Sequence, residues 1–303
     1  MGDSNHIQAW YDDEKTWWDR YGEYMTYQWT LTPSLNKIIR SQWIKDFNDF
    51  LFCEKGMLLD MGCGGGWLSL NFAMKGMVVF GLDISDEQIK MACNLKARSG
   101  LENLHFKCTD LVGWDCTEYG EKFDSIFVNA FLHHLPPTEI EMIFNKINYV
   151  LKKGGRCYVY EPLTTKVEKG YFLIKLMDSF IGLMASLLIV KIPKYFNLWS
   201  KRHHSELRKG YTMQSPHEAP VQIELIKQFL PDALSTIEIK GCHLYSLGFS
   251  MQIMSLKESV RGLFTQLARF LYWIDQMVLS SFKWETFAQK GRFILCSIKL
   301  LKT

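Results

Sequence analysis

No Cys-x-x-Cys pair occurs in this chain: the eight cysteines, Cys53, Cys63, Cys93, Cys108, Cys116, Cys157, Cys242 and Cys296, stand singly. That spacing gives neither a zinc site nor a redox couple, so free thiols in a reducing cytosol are expected, with no disulfide and no metal. A clean apolar run of about 20 residues, as a membrane span requires, is also missing. The greasiest stretch, residues 171–190, is interrupted by Lys175 and Asp178 and stops at Pro193. The opening Met1-Gly-Asp-Ser-Asn-His6 lacks a basic-then-apolar leader. Charge of one sign is scarce: 35 Lys and Arg against 32 Asp and Glu leave +3. That excess does not single out nucleic acid, and no interleaved aromatic and basic array adds to it. At 303 residues and 22% charged, the composition suits one large α/β domain with insertions.

What the chain does have is Leu58-Leu-Asp-Met-Gly-Cys-Gly-Gly-Gly66, an apolar run that ends in an acid and breaks into glycines. The apolar part reads as a buried strand, and the glycines let the backbone turn and approach a ligand closely. A helix pattern follows over residues 67–75, then a second buried strand, Met77 to Asp83. Strand, glycine turn, helix, strand and acid make a βαβ nucleotide unit, in which Asp83 can accept both ribose hydroxyls. Two departures argue against the dinucleotide version. Trp67 stands where Gly-x-Gly-x-x-Gly places its last glycine, and Asp60 precedes the turn, where an anion repels phosphates and suits a cation. The expected ligand is a nucleoside bearing positive charge.

On these residues the chain resembles the class I S-adenosylmethionine-dependent methyltransferases, whose first motif is acid-x-Gly-x-Gly-x-Gly. Asp60, Gly62, Gly64 and Gly66 match it position by position, and the likeness runs from about Lys55 to Glu161. The resemblance implies that Asp60 and the loop through Cys63 hold the methionine part and Asp83 with Ile84 the ribose. Asp110, with Leu111, would accept the adenine amino group, and Asn129 and Ala130, ending Phe123–Asn129, would close the methionine side. The following Phe131-Leu-His-His-Leu-Pro136 looks like the Leu-His-His-Leu element of small-molecule members.

A helix over Ile143–Leu151, ended by Lys152-Lys-Gly-Gly155 as a glycine C-cap, and a strand Arg156–Tyr160 complete five alternating units. They imply an α/β fold with a doubly wound, mostly parallel Rossmann-like sheet, of seven strands in this family. The expected organisation is a helical N-terminal lid (1–50), a cofactor core (51–162), and a remainder of the same domain (163–303). That remainder carries helical insertions at 163–220 and 255–290 and an antiparallel sheet edge built from Ser235–Lys240, His243–Met254 and Arg292–Leu300.

In the N-terminal segment Trp17, Tyr21, Tyr24 and Met25 recur at helical spacing, and a second helix is expected over Asn36–Leu51. Packing on the sheet accounts for such a face. A lid accounts for it too, since aromatic faces attract a sulfonium by roughly 0.5–2 kcal/mol. Residues 191–209 turn basic around His203 and His204, a solvated linker or a contact for an anionic acceptor or headgroup. Ser215 with Glu218 fits a capping box before a helix over Val221–Phe229, which explains both without chemistry. Further on, Leu263, Leu267, Phe270, Leu271, Ile274, Val278 and Phe282 face one way while Tyr272, Trp273 and Met277 face the other. A helix apolar on both sides is buried, shared with a partner or dipped into an interface. With 171–190 it is expected to roof a pocket for a hydrophobic acceptor, allowing peripheral membrane contact or an oligomer contact.

Methyl transfer is an in-line displacement that releases a neutral thioether, so alignment to ~3 Å is the main requirement. A hydroxyl acceptor must also lose a proton, which suits histidine near neutral pH. His134 and His133 are the expected bases, with Tyr21, Tyr24, Glu161, His203 and His217 as further candidates on the acceptor side. The expected activity is S-adenosylmethionine-dependent transfer of a methyl group to an O, N or C atom of a small hydrophobic acceptor; a peripheral membrane methyltransferase of a lipid or lipid-linked glycan, and a non-catalytic S-adenosylmethionine-binding subunit, are the alternatives. No nucleic-acid partner is expected.

Overall fold

The computed structural model describes residues 2–30, 41–165, 215–243, 258–281, 283–286, 288 and 294–303. Five parallel strands form its centre: β1 (Met57–Met61), β2 (Val78–Asp83), β3 (Leu104–Cys108), β4 (Phe123–Asn129) and β5 (Leu151–Thr164), in the order β3-β2-β1-β4-β5. Leu58 and Leu59 point to opposite faces, yet both are fully buried, so β1 is covered on both sides. The expected doubly wound sheet is what forms.

The helices between strands follow local signals. Helix α4 (Asp86–Ser99) is capped by Ser85, whose hydroxyl accepts from Gln88 N at 3.2 Å; Asp86 and Glu87 lie in its first turn and Lys96 and Arg98 in its last. Those charges oppose the helix dipole at both ends. Helix α3 (Trp67–Ala73) starts directly from Gly66. With α2 (Ser41–Leu51) it covers one face, where Phe47 stacks on Phe127 at 4.9 Å and Phe72 and Tyr158 close around them. Each such burial contributes ~1.5–3 kcal/mol. Helices α5 (Pro137–Val150) and α6 (Ile223–Phe229) cover the other face with Ile140, Ile143, Phe144, Ile147, Ile223 and Ile226.

Beyond β5 the sheet turns antiparallel. β8 (Ile294–Lys302) pairs with β5, and β7 (Leu234–His243) pairs with β8, giving the expected edge; a two-residue β6 (Val221–Gln222) lies beside the end of β5. Helix α7 (Glu258–Ser281) connects β7 to β8 and seats on β7, with Gln276 donating to the Cys242 carbonyl at 2.9 Å. Its two sides differ more than their sequence suggests: Phe264 and Ala268 are buried, whereas Phe270, Trp273 and Met277 are 54%, 56% and 50% exposed. No described helix is long and apolar enough to cross a membrane.

Three local expectations are corrected. Helix α5 begins at Pro137, six residues earlier than expected. Its end is not a glycine C-cap, because the chain passes at Leu151 straight into β5 and Gly154, at φ +74°, lies inside that strand. Lys302 Nζ does the capping instead, donating to the carbonyls of Asn148 and Leu151 at 2.7 Å each. Nor does Ser215 cap α6, whose N-cap is Gln222. The insertion 171–190, the basic run 191–209 with His203, the strand material of 244–254 and the side chain of Tyr24 lie outside the described residues.

Candidate active site

The order of the sheet reverses between β1 and β4, and there the loops leaving their carboxyl ends diverge to open a crevice. One wall is the glycine loop. Gly62, Gly64 and Gly66 have φ of +74°, +51° and +76°, and a Cβ on Gly66 would stand 2.5 Å from Phe106 Cζ. Gly62 N and Cys63 N both donate to Leu82 O, at 2.9 and 3.0 Å, which folds the loop over the end of β2. Only glycine combines that backbone with that clearance.

Two acids flank the loop. Asp60 is buried and accepts from Ser69 Oγ at 2.5 Å. Burial pushes its carboxyl up to about 7; the Ser69 bond opposes that and nearby Asp83 adds to it. Asp83, half-buried at the end of β2, accepts from Gly64 N and Ser85 N at 2.9 Å each. Its carboxyl is likewise raised by burial, more than those two bonds lower it. Beside it is half-buried Ile84. Asp110, after β3, accepts from Val112 N and Gly113 N at 2.9 Å each, with Leu111 buried next to it. Asn129 ends β4 and Ala130 follows at φ +49°, a conformation that side chains other than glycine seldom take and that clusters at functional sites.

The two histidines have different surroundings. His133 is enclosed: its Nδ1 is 2.7 Å from Glu161 Oε2, and Glu161 Oε1 accepts from Phe131 N and Leu132 N at 2.7 and 2.8 Å. Glu161 thereby fixes the loop and the ring together. Glu218 Oε1 is 3.8 Å from His133 Nε2. His134 has its Nδ1 2.9 Å from Ser215 Oγ and 3.1 Å from Glu14 Oε2. Its pKa is lowered by burial and by the neighbouring His133, against the raising influence of Glu14.

Glu14 belongs to α1 (Gly2–Thr30), which lies along α4 and across this end of the sheet. Lys15 bridges Asp19 and Asp86 at 2.8 and 2.7 Å, and Ser85 Oγ donates to Asp19 at 2.6 Å. Trp17 and Tyr21 are buried beneath the helix, Tyr11 donates to Glu139, and Trp10 stacks on His217 at 4.0 Å. His217 also approaches Asp13 at 3.2 Å. The fold therefore brings Asp60, the glycines, Asp83, His133, His134, Tyr21 and His217 to one end of the sheet. Glu14, Ser215 and Glu218 join them without having been expected there. Ser-x-x-Glu has a local explanation that hides Ser215 and Glu218, and nothing in the helical pattern of residues 10–22 distinguishes Glu14.

Residues 58–155 match the family model of a methyltransferase domain. The ubiquinone biosynthesis O-methyltransferase of Glaesserella parasuis serovar 5 (strain SH0165) is 29% identical over 174 residues, 57% of this chain and 69% of that one. Its counterpart in Proteus mirabilis (strain HI4320) is 28% identical over 182 residues, 59% and 67% of the two chains. Residues 58–155 thus form a methyltransferase domain, and the chain is an S-adenosylmethionine-dependent methyltransferase. Two solved structures share its fold. Geranyl diphosphate C-methyltransferase from Streptomyces coelicolor A3(2) has a TM-score of 0.53 at 13% identity, over 87% of this chain and 79% of that one. The cyclase SpnF has 0.53 at 15%, over 86% and 80%. Architecture this widely shared does not fix the chemistry, which resides in the site.

S-adenosylmethionine is the cofactor of this methyltransferase. The crevice suits it on two counts. The left-handed glycine backbone packs the loop closely, a Cβ at Gly62 or Gly66 colliding with Phe131 or Phe106, and two adjacent acids held above their usual range favour a ligand that brings positive charge.

Proposed function

We propose that this methyltransferase moves the methyl group onto a hydroxyl oxygen of a small, apolar acceptor, with His134 as the base. The observation that carries this reading is the His134 ring, whose Nδ1 is hydrogen-bonded to Ser215 and lies 3.1 Å from the Glu14 carboxylate, while no described residue bonds Nε2. The names of the curated relatives, which are O-methyltransferases of ubiquinone biosynthesis, support an oxygen acceptor.

Asp60 and the Gly62–Gly66 backbone hold the methionine part in this account, with Cys63 in the loop and Asn129 and Ala130 opposite. Asp83 and Ile84 take the ribose, and Asp110 and Leu111 the adenine. The cofactor supplies an electrophilic methyl on a sulfonium whose departure leaves a neutral thioether. The chain's own residues have three tasks. The glycine loop and Asp83 fix the donor's direction, His134 Nε2 takes the hydroxyl proton as the oxygen attacks, and α1 with Trp10 and Trp18 excludes water as a lid. His133, tied to Glu161, sets the loop that aims His134, and Tyr21 and His217 border the acceptor side.

The test is transfer of labelled methyl from S-adenosylmethionine to a panel of catechols and phenols with and without alkyl tails, beside matching amines. Incorporation into the tailed phenolics is expected, and His134→Ala should lower it by ~10²–10⁴ while S-adenosylhomocysteine binds as before. Preference for amines, or full turnover in H134A, contradicts the reading, and binding without any transfer supports a non-catalytic subunit. A second reading, peripheral contact with a membrane, draws on the exposed Phe270, Trp273 and Met277 of α7. Failure to co-sediment with anionic liposomes at low salt removes it.

A further inference from the structure

Trp10, Glu14 and Trp18 stand four residues apart on α1, and all three converge on one residue, His134. Trp10 Nε1 donates to the His134 carbonyl at 2.7 Å, and the Trp18 ring meets the imidazole edge-on with centroids 5.5 Å apart. Glu14 Oε2 lies 3.1 Å from Nδ1. Backbone, ring face and ring nitrogen of His134 are thus gripped by a single helical stripe.

The carboxylate is itself built in. Glu14 is 4% exposed, and its Oε1 accepts from His217 N at 2.9 Å, which ties residues 215–218 to α1. Burial works to raise its pKa, yet nearby His134 and Ser215 and the bond from His217 N bring it below the ordinary value, so the group is an anion at neutral pH. An anion beside Nδ1 keeps the imidazole proton on that nitrogen and leaves the Nε2 lone pair free.

We propose that Glu14 is the positioning residue for His134, so that the base takes its working tautomer only while α1 is docked. This rests on the base reading of His134 given above. Lid and base then form one device: undocking the helix opens the crevice and removes the carboxylate in the same movement, and an undocked enzyme cannot deprotonate an acceptor. Besides Glu14, the groups facing His134 are His133 at 4.0 Å between ring centroids, and Glu218 and Asp83 through their charges.

The experiment is nitrogen NMR of the full chain with ring-labelled histidine, bound to S-adenosylhomocysteine, for wild type, Glu14→Gln and His134→Ala, the last to assign the signal. Wild-type His134 is expected to show a protonated Nδ1 and a bare Nε2. E14Q should lower its pKa by about one unit or more, while S-adenosylhomocysteine affinity stays within about twofold. The acid limb of the pH profile for methyl transfer to catechol should move down with it. An Nε2-protonated tautomer in wild type, or an unmoved pKa in E14Q, overturns the proposal. Should E14Q fail to fold, Glu14→Asp withdraws the charge by one methylene and should shift the same signal less, in the same direction. Full turnover of H134A defeats the base reading instead, and leaves the nitrogen shifts to report on the pairing alone.

Discussion

Asp60 has the most to say about pH. Its folded pKa is raised, so the stability that the group gives the ligand-free fold is present below its unfolded value near 4 and is lost as pH rises through about 7. A cationic ligand prefers the ionised form. Calorimetry should therefore find S-adenosylmethionine affinity rising with pH between 5 and 7, by at most about tenfold per unit, with proton release; Asp60→Asn should flatten that slope. At Gly66, φ +76° and the contacts with Phe106 and Ala92 make Gly66→Ala costly by ~1–3 kcal/mol, visible in the denaturant midpoint. These residues were legible in the sequence because strand, glycines and acid are neighbours along the chain. Glu14 and Ser215 were not, for each reaches His134 from a distant segment and each has an ordinary local role that its neighbours already explain.

Among the elements, helix α1 is held by burial and by charge at separate points. Trp17→Ala removes a side chain buried beneath α1, at a cost of ~3–5 kcal/mol that falls mainly on docking. Limited proteolysis should cut within residues 2–30 of W17A while the sheet survives, and S-adenosylhomocysteine should leave faster. The end of α5 offers a contrast between local signal and tertiary fact. Lys-Lys-Gly-Gly resembles a helix stop, but the carbonyls there are taken by Lys302 from the far end of the chain. Lys302→Met should lower stability by ~1–3 kcal/mol by stranding them. A helix start such as Ser85 carries a local signal, because a cap and its partner are three residues apart. Lys302 has no such proximity.

At the scale of the whole molecule, the alternation of apolar runs with glycine turns fixes β3-β2-β1-β4-β5 and places the crevice at the point where the order reverses. The antiparallel edge was anticipated by family likeness more than by pattern, because the residues separating β7 from β8 outnumber those of either strand. The proposed acceptor side depends on segments that come together from residues 10–22, 131–139 and 215–218, and no periodicity announces that meeting. All of it presupposes a nucleoside seated between the glycine loop and Asp83. The most direct test is a calorimetric titration of S-adenosylhomocysteine into wild type and Asp83→Ala, with NAD as the competitor. Saturable binding in wild type, at least tenfold weaker in D83A and indifferent to NAD, is the predicted result; undiminished binding in D83A, or displacement by NAD, would contradict it.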